Sequence, residues 1–168
     1  ITGIIPARYA SSRFPGKPLA NINGKVMIEH VYERCLKSKY LSNVIIATDD
    51  LRIYDAVIHF GGNACMTSTE HLNGTSRCAE AIQQLTIAPE FVINIQGDEP
   101  LIHPNQIDLL IELFINDKEL DIATLIKKEN AIHLLQNQNV VKAILTDNGY
   151  ISDFKRTTST NLNFFHKH

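Results

Sequence analysis

The chain has 168 residues, 44% hydrophobic and 20% charged, with a formal net charge of -2. That balance describes a globular chain long enough for one domain with a real core, and it excludes a disordered or fibrous protein. It gives no global field for gripping nucleic acid, so any anion site must be local. Three widely spaced cysteines, Cys35, Cys65 and Cys78, form no C-x-x-C pair. They read as small buried hydrophobes in a reducing cytoplasm, not as a disulfide framework or zinc site. No apolar run approaches the ~20 residues of a membrane span, and no secretory signal opens the chain.

In chain order, Ile1 to Ile5 reads as a buried strand. The stretch to Leu19 is a loop carrying Arg8, Arg13 and Lys17 among the small residues Ala10, Ser11, Ser12 and Gly16. Pro6, Pro15 and Pro18 stiffen it. Clustered cations, open backbone amides and a stiffened path suit a polyphosphate. Arg13 either joins that grip or lies on a solvated face. A turn at Asn21 to Gly24 precedes a helix over Val26 to Lys37, with apolar residues at helical spacing. Asn43 to Thr48 is a second buried strand, with Asp49 and Asp50 placed to cap a helix through about Phe60. Ala64 to Thr67 is a third strand.

A polar loop then leads to a helix expected from Arg77 to about Leu85, with Gly74 allowing close backbone approach at its entry. Phe91 to Ile95 is the most strand-like run, delivering Gln96, Gly97, Asp98 and Glu99. Helix is expected over His103 to Asn116, strand over Asp121 to Ile126, and a helical turn over Ala131 to Leu135. Val140 to Leu145 and Tyr150 to Phe154 flank Asp147-Asn-Gly149, a hairpin signal. The last eighteen residues show little periodicity and read as a chain cut short.

Short apolar strands alternating with helices imply an α/β fold with a mostly parallel sheet. In such sheets ligands sit outside the carboxyl ends of the strands. Arg8, Asp49 and the Gln96–Glu99 segment all fall at proposed strand ends, so three segments converge on one rim. Asp98 can hold a hard cation such as Mg²⁺ together with substrate phosphates, or cap a turn. Gln96 can bind a polar ligand or tie its own loop, and His71 can touch substrate or lie on the surface. No G-x-G-x-x-G, Walker loop, G-x-S-x-G or H-E-x-x-H occurs, which weakens hydride transfer, P-loop hydrolysis and serine or metalloprotease readings.

Pro6-Ala-Arg-Tyr-Ala-Ser-Ser-Arg-Phe-Pro-Gly-Lys-Pro-Leu19 closely resembles the opening signature of the 3-deoxy-manno-octulosonate cytidylyltransferase (CMP-Kdo synthetase) family. Ala47-Thr-Asp-Asp50, Cys65-Met-Thr67, His71-Leu-Asn-Gly-Thr-Ser-Arg77 and Asn94-Ile-Gln-Gly-Asp-Glu-Pro100 follow in the family's order. The resemblance implies a Rossmann-like nucleotidyltransferase fold, as a single domain over residues 1–168 that lacks its C-terminal part. It implies transfer of CMP from CTP to Kdo with release of pyrophosphate, for lipopolysaccharide synthesis in the cytoplasm, with no nucleic-acid or membrane partner. Arg8 and Lys17 match triphosphate-binding positions, with Ala10, Ser11, Ser12, Gly74 and Arg77 on the nucleotide side. Asp98 matches a Mg²⁺ ligand, and Arg8, Lys17 and Asp98 form the catalytic set. Gln96 and His168 match sugar-binding positions. The family's second metal-binding aspartate and homodimer surface belong to a segment beyond His168. Asp153 and Lys155 depart from the family pattern, and no proline follows Arg156. A cytidylyltransferase for a related acidic sugar, or a non-catalytic CTP-binding relative, are the alternatives.

Overall fold

The computed structural model describes residues 1–10, 14–129, 132–157 and 164–167. Ser11, Ser12, Arg13 and His168 lie outside them. The chain forms two compact units, Ile1–Glu112 and Leu113–His168.

The first unit starts with β1 (Thr2–Ala7), a single 3₁₀ turn (Lys17–Leu19) and the short strands β2 (Asn21–Ile22) and β3 (Lys25–Val26). Next come α1 (Met27–Cys35), β4 (Asn43–Thr48), α2 (Leu51–His59), β5 (Ala64–Met66), α3 (Gly74–Gln83) and β6 (Val92–Asn94). Helix α4 (Pro104–Asn116) crosses the boundary between the units. The main sheet is parallel, in the order β5-β4-β1-β6. β1 and β4 pair from Thr2 against Asn43 to Ala7 against Thr48.

Because alternate residues of a strand face opposite ways, the sheet feeds two cores. Ile5, Ala7, Val44, Ile46, Ile93 and Ile95 join Ile28 and Val31 of α1, Ile53 and Val57 of α2, and Ile107 and Ile111 of α4. On the other face Ile4 and Ala47 meet Cys78 and Ala81 of α3. Each fully buried isoleucine contributes on the order of 2 kcal/mol. The cysteines are free; burial pushes the Cys35 thiol up to about 12 and the Cys78 thiol up to about 11, which suits inert packing.

The second unit adds β7 (Ile126–Glu129), α5 (Ile132–Gln136), β8 (Lys142–Leu145), β9 (Ile151–Lys155) and β10 (Phe164–Lys167). Its strands form an antiparallel sheet in the order β7-β10-β8-β9. The β8–β9 hairpin turns where Asp147-Asn-Gly149 signals it. Lys142 is fully buried on central β8, and its Nζ donates to the carbonyls of Asn137 (2.5 Å) and Arg156 (2.7 Å). Burial, then the nearby Arg156 charge, lowers its pKa.

Three expectations shift. Helix α3 starts at Gly74, not Arg77, because Asn73 caps it by accepting from the Ser76 amide (2.9 Å). The strand expected over Asp121 to Ile126 instead begins at Ile126 and runs through the polar Lys127 and Lys128. Its partner is β10, a strand from a stretch without periodicity, so non-local pairing decides both.

Candidate active site

The carboxyl ends of β1, β4, β5 and β6 share one rim, since all four strands are parallel. β1 delivers Arg8, which is exposed, as is Ala10. The loop then closes on itself: the Gly16 amide donates to the Tyr9 carbonyl (2.9 Å), and Gly16 adopts a left-handed φ of 72°. The 3₁₀ turn follows, with Pro18 in its first positions. Lys17 opens that turn, and its Nζ lies 2.6 Å from Asp98 Oδ2. Asp98 arrives from the segment after β6, so the loop cation and the strand-end carboxylate meet although they are 81 residues apart.

Their side chains are 36% and 52% exposed. An ion pair that open to water contributes little to stability. The fold therefore gains little by joining them, whereas a polyphosphate bound with a cation would use both. Gln96 is exposed, with its amide 3.4 Å from Asn94 Oδ1.

Arg77 sits differently. It is 3% exposed. Its Nη2 donates to Asp49 Oδ2 (2.7 Å), and its Nη1 donates to Thr67 Oγ1 (2.6 Å) and the Ser68 carbonyl (3.4 Å). It joins α3 to the ends of β4 and β5 from beneath the rim. Any influence on a ligand runs through those neighbours. Pro6 is boxed in by two glycines. A Cβ on Gly74 would sit 3.0 Å from Pro6 Cγ, and one on Gly97 would sit 3.1 Å from the Pro6 carbonyl oxygen. Both glycines thus bring α3 and the Gln96–Glu99 segment hard against β1.

His71 meets Glu80 of α3 side chain to side chain, and Glu80 also accepts from the Ser68 amide (2.9 Å). These contacts, the Ser68 amide first, hold the Glu80 carboxyl below its usual range. A depressed carboxylate pKa stabilises above the unfolded value and loses that contribution as pH falls through the folded one. Between about pH 5 and about pH 3 the wild type is expected to lose more stability than Glu80→Gln, read from urea midpoints. Parallel midpoints across that range would show that the Ser68 and His71 contacts to Glu80 do not stabilise the fold.

Tyr9, Arg52, Thr67 and Glu80 were not singled out by the sequence. Arg77 and Glu80 lie three apart, a spacing that puts both on one helix face, and this was an available signal. Among the described residues no group of three or more His, Cys, Asp or Glu could enclose a metal. One open carboxylate, Asp98 beside Lys17, fits Mg²⁺, which commonly takes one or two carboxylates plus substrate phosphates. No helix among the described residues is long and apolar enough to cross a membrane.

The cytidylyltransferase family profile matches residues 2–163. The 3-deoxy-manno-octulosonate cytidylyltransferase of Fusobacterium nucleatum is 51% identical over 155 residues, covering 92% of this chain and 62% of its own length. Those of Pseudoalteromonas atlantica (48%; 92% and 61% covered) and Trichlorobacter lovleyi (46%; 94% and 62%) bear the same name. The chain thus spans about three fifths of these relatives. The structure of a CMP:2-keto-3-deoxy-manno-octonic acid synthetase complexed with CTP superposes with a TM-score of 0.91 at 37% identity, covering 99% of this chain and 70% of that one. A 4-diphosphocytidyl-2C-methyl-D-erythritol synthase from Anaerococcus prevotii (TM-score 0.58, 16% identity) shares the fold. A parallel β5-β4-β1-β6 sheet, a cationic loop after its first strand and a profile match over nearly the whole length agree: this chain belongs to the cytidylyltransferase family.

Proposed function

We propose that this chain carries the nucleotide-handling part of a 3-deoxy-manno-octulosonate cytidylyltransferase, transferring CMP from CTP to Kdo. The observation that carries the reading is the exposed Lys17–Asp98 pair, 2.6 Å apart on the rim to which β1 also delivers Arg8. An anomeric hydroxyl oxygen attacks the α-phosphorus of CTP. The bond from that phosphorus to the bridging oxygen breaks, and its electron pair leaves with pyrophosphate. The hydroxyl proton passes to solvent.

Arg8 offers a planar fork to two phosphate oxygens, and Lys17 a point charge. Together they offset the negative charge that gathers on the leaving group. Asp98 would hold Mg²⁺, which when bound supplies further charge neutralisation at the phosphates. The small side chains of Ala10 and Gly74 leave backbone amides open to the nucleotide. Gln96 lies on the acceptor side. Ser11, Ser12 and His168 keep the roles that the family resemblance implies. A cytoplasmic homodimer serving lipopolysaccharide synthesis accords with this activity.

Pyrophosphate release from CTP and Mg²⁺, with Kdo compared against other nonulosonic acids, tests the reading. Kdo is expected to be the preferred acceptor. Release with a different acidic sugar alone would reassign the acceptor, and no release with any acceptor would sink the enzymatic reading.

A further inference from the structure

One cluster beside the cationic loop contains neither Lys17 nor Asp98, yet ends next to them. Asp50 caps α2, accepting from the Arg52 amide (3.0 Å). The same carboxylate grips the Arg52 guanidinium at two points, Nε to Oδ1 (2.9 Å) and Nη2 to Oδ2 (2.6 Å). Gripped in this way, the guanidinium lies over the ring of Tyr9, with Cζ 3.3 Å from the ring centroid. Tyr9 in turn packs on Gly16, where a Cβ would fall 3.0 Å from ring atoms Cε2 and Cζ. The Tyr9 carbonyl accepts the Gly16 amide, and Lys17 is the next residue.

We propose, taking the cytidylyltransferase reading as the basis, that Tyr9 and Arg52 are positioning residues that clip the cationic loop shut and so fix where Lys17 meets the triphosphate. Neither touches the reacting atoms. A planar cation stacked on an aromatic face suits this task because it resists sliding of the ring. Gly16 completes the clip, since its φ of 72° is strained for a side chain and a Cβ there would press on the ring. Arg52 is 59% exposed and Asp50 already caps the helix without it. The stacking is therefore poorly explained as a stability device. Tyr9 also packs against the main core, so the stack ties the Tyr9–Gly16 contact, next to Lys17, to that core.

Two measurements on the intact chain test this. In the ligand-free protein, hydrogen exchange at the Gly16 amide is expected to speed up roughly five-fold in Arg52→Ala and in Tyr9→Leu. Protection in β1 and α2 should stay at wild-type values in both, and the urea midpoint should stay there in Arg52→Ala, whose side chain is 59% exposed. Calorimetric titration with CTP should show affinity weakened roughly five-fold in each variant, no further loss in the double variant, and wild-type affinity in Tyr9→Phe. Unchanged exchange at Gly16 would overturn the clip. So would losses that multiply in the double variant, or a Tyr9→Phe that binds as poorly as Tyr9→Leu. A wild-type chain that binds no CTP would overturn the proposed function instead, and the exchange result alone would then decide whether the clip exists.

Discussion

Asp98→Asn is expected to lower pyrophosphate release on the order of a hundred-fold or more while leaving the unfolding midpoint in place. The carboxylate is 52% exposed and its partner is an open lysine, so the isosteric amide removes little folding energy. What it removes is an anionic oxygen able to hold a divalent cation against the phosphates. The same change frees Lys17 from its counter-charge. Metal-free CTP affinity should therefore hold steady or tighten while turnover falls. That opposition separates loss of a metal ligand from general damage, which would weaken both. Turnover within about two-fold of wild type, against the tens- to hundred-fold cost of lost metal-site groups, would return Asp98 to a turn-capping role.

Arg77→Ala is expected to cost about 2–4 kcal/mol of folding free energy, read from urea unfolding of the first unit. The truncation empties a site that is 3% exposed, and it strips three donated bonds from Asp49, Thr67 and Ser68. Asp49 is only 18% exposed, so its carboxylate would be left without its counter-charge in a poorly hydrated place. Arg77→Lys should recover less than half, because an ammonium cannot span Asp49 and Thr67 as a fork does. A loss below about 1 kcal/mol, the scale of an exposed pair, would show that the bracket is not what joins α3 to the sheet.

Much of this was legible locally. Val44 to Ala47 is an unbroken apolar run between Asn43 and Thr48, and β4 has the limits expected of the strand, Asn43–Thr48. Asp50 stands one residue ahead of a helical pattern and does cap α2. The convergence of Arg8, Asp49 and Asp98 on one rim needed only parallel strands. The order of those strands was not legible, because alternation of strand and helix says nothing about which strands are neighbours. Order places β4 between β1 and β5, and so brings Arg52 onto Tyr9 and Arg77 onto Asp49 and Thr67. Family resemblance set Arg77 among nucleotide-side positions without revealing that it is buried. Strands β7 and β10 were hidden for a related reason: the polar Lys127 and Lys128 become strand residues only when Phe165 and His166 arrive beside them.

The two glycines around Pro6 bear on how such a site can change over evolutionary time. A side chain at position 74 or 97 would press on the same proline, at 74 on its ring and at 97 on its carbonyl oxygen as well as on Ile28. Substitution at either position makes its neighbours give by a few tenths of an ångström. Replacing the proline could relieve the contact at position 74, where the obstacle is its ring. It could not relieve the contact at 97, where the obstacle is backbone that every residue carries. The corner is therefore asymmetric in its mutational freedom: a lineage can reach a new residue at 74 through a prior change at position 6, but has no such stepping stone at 97.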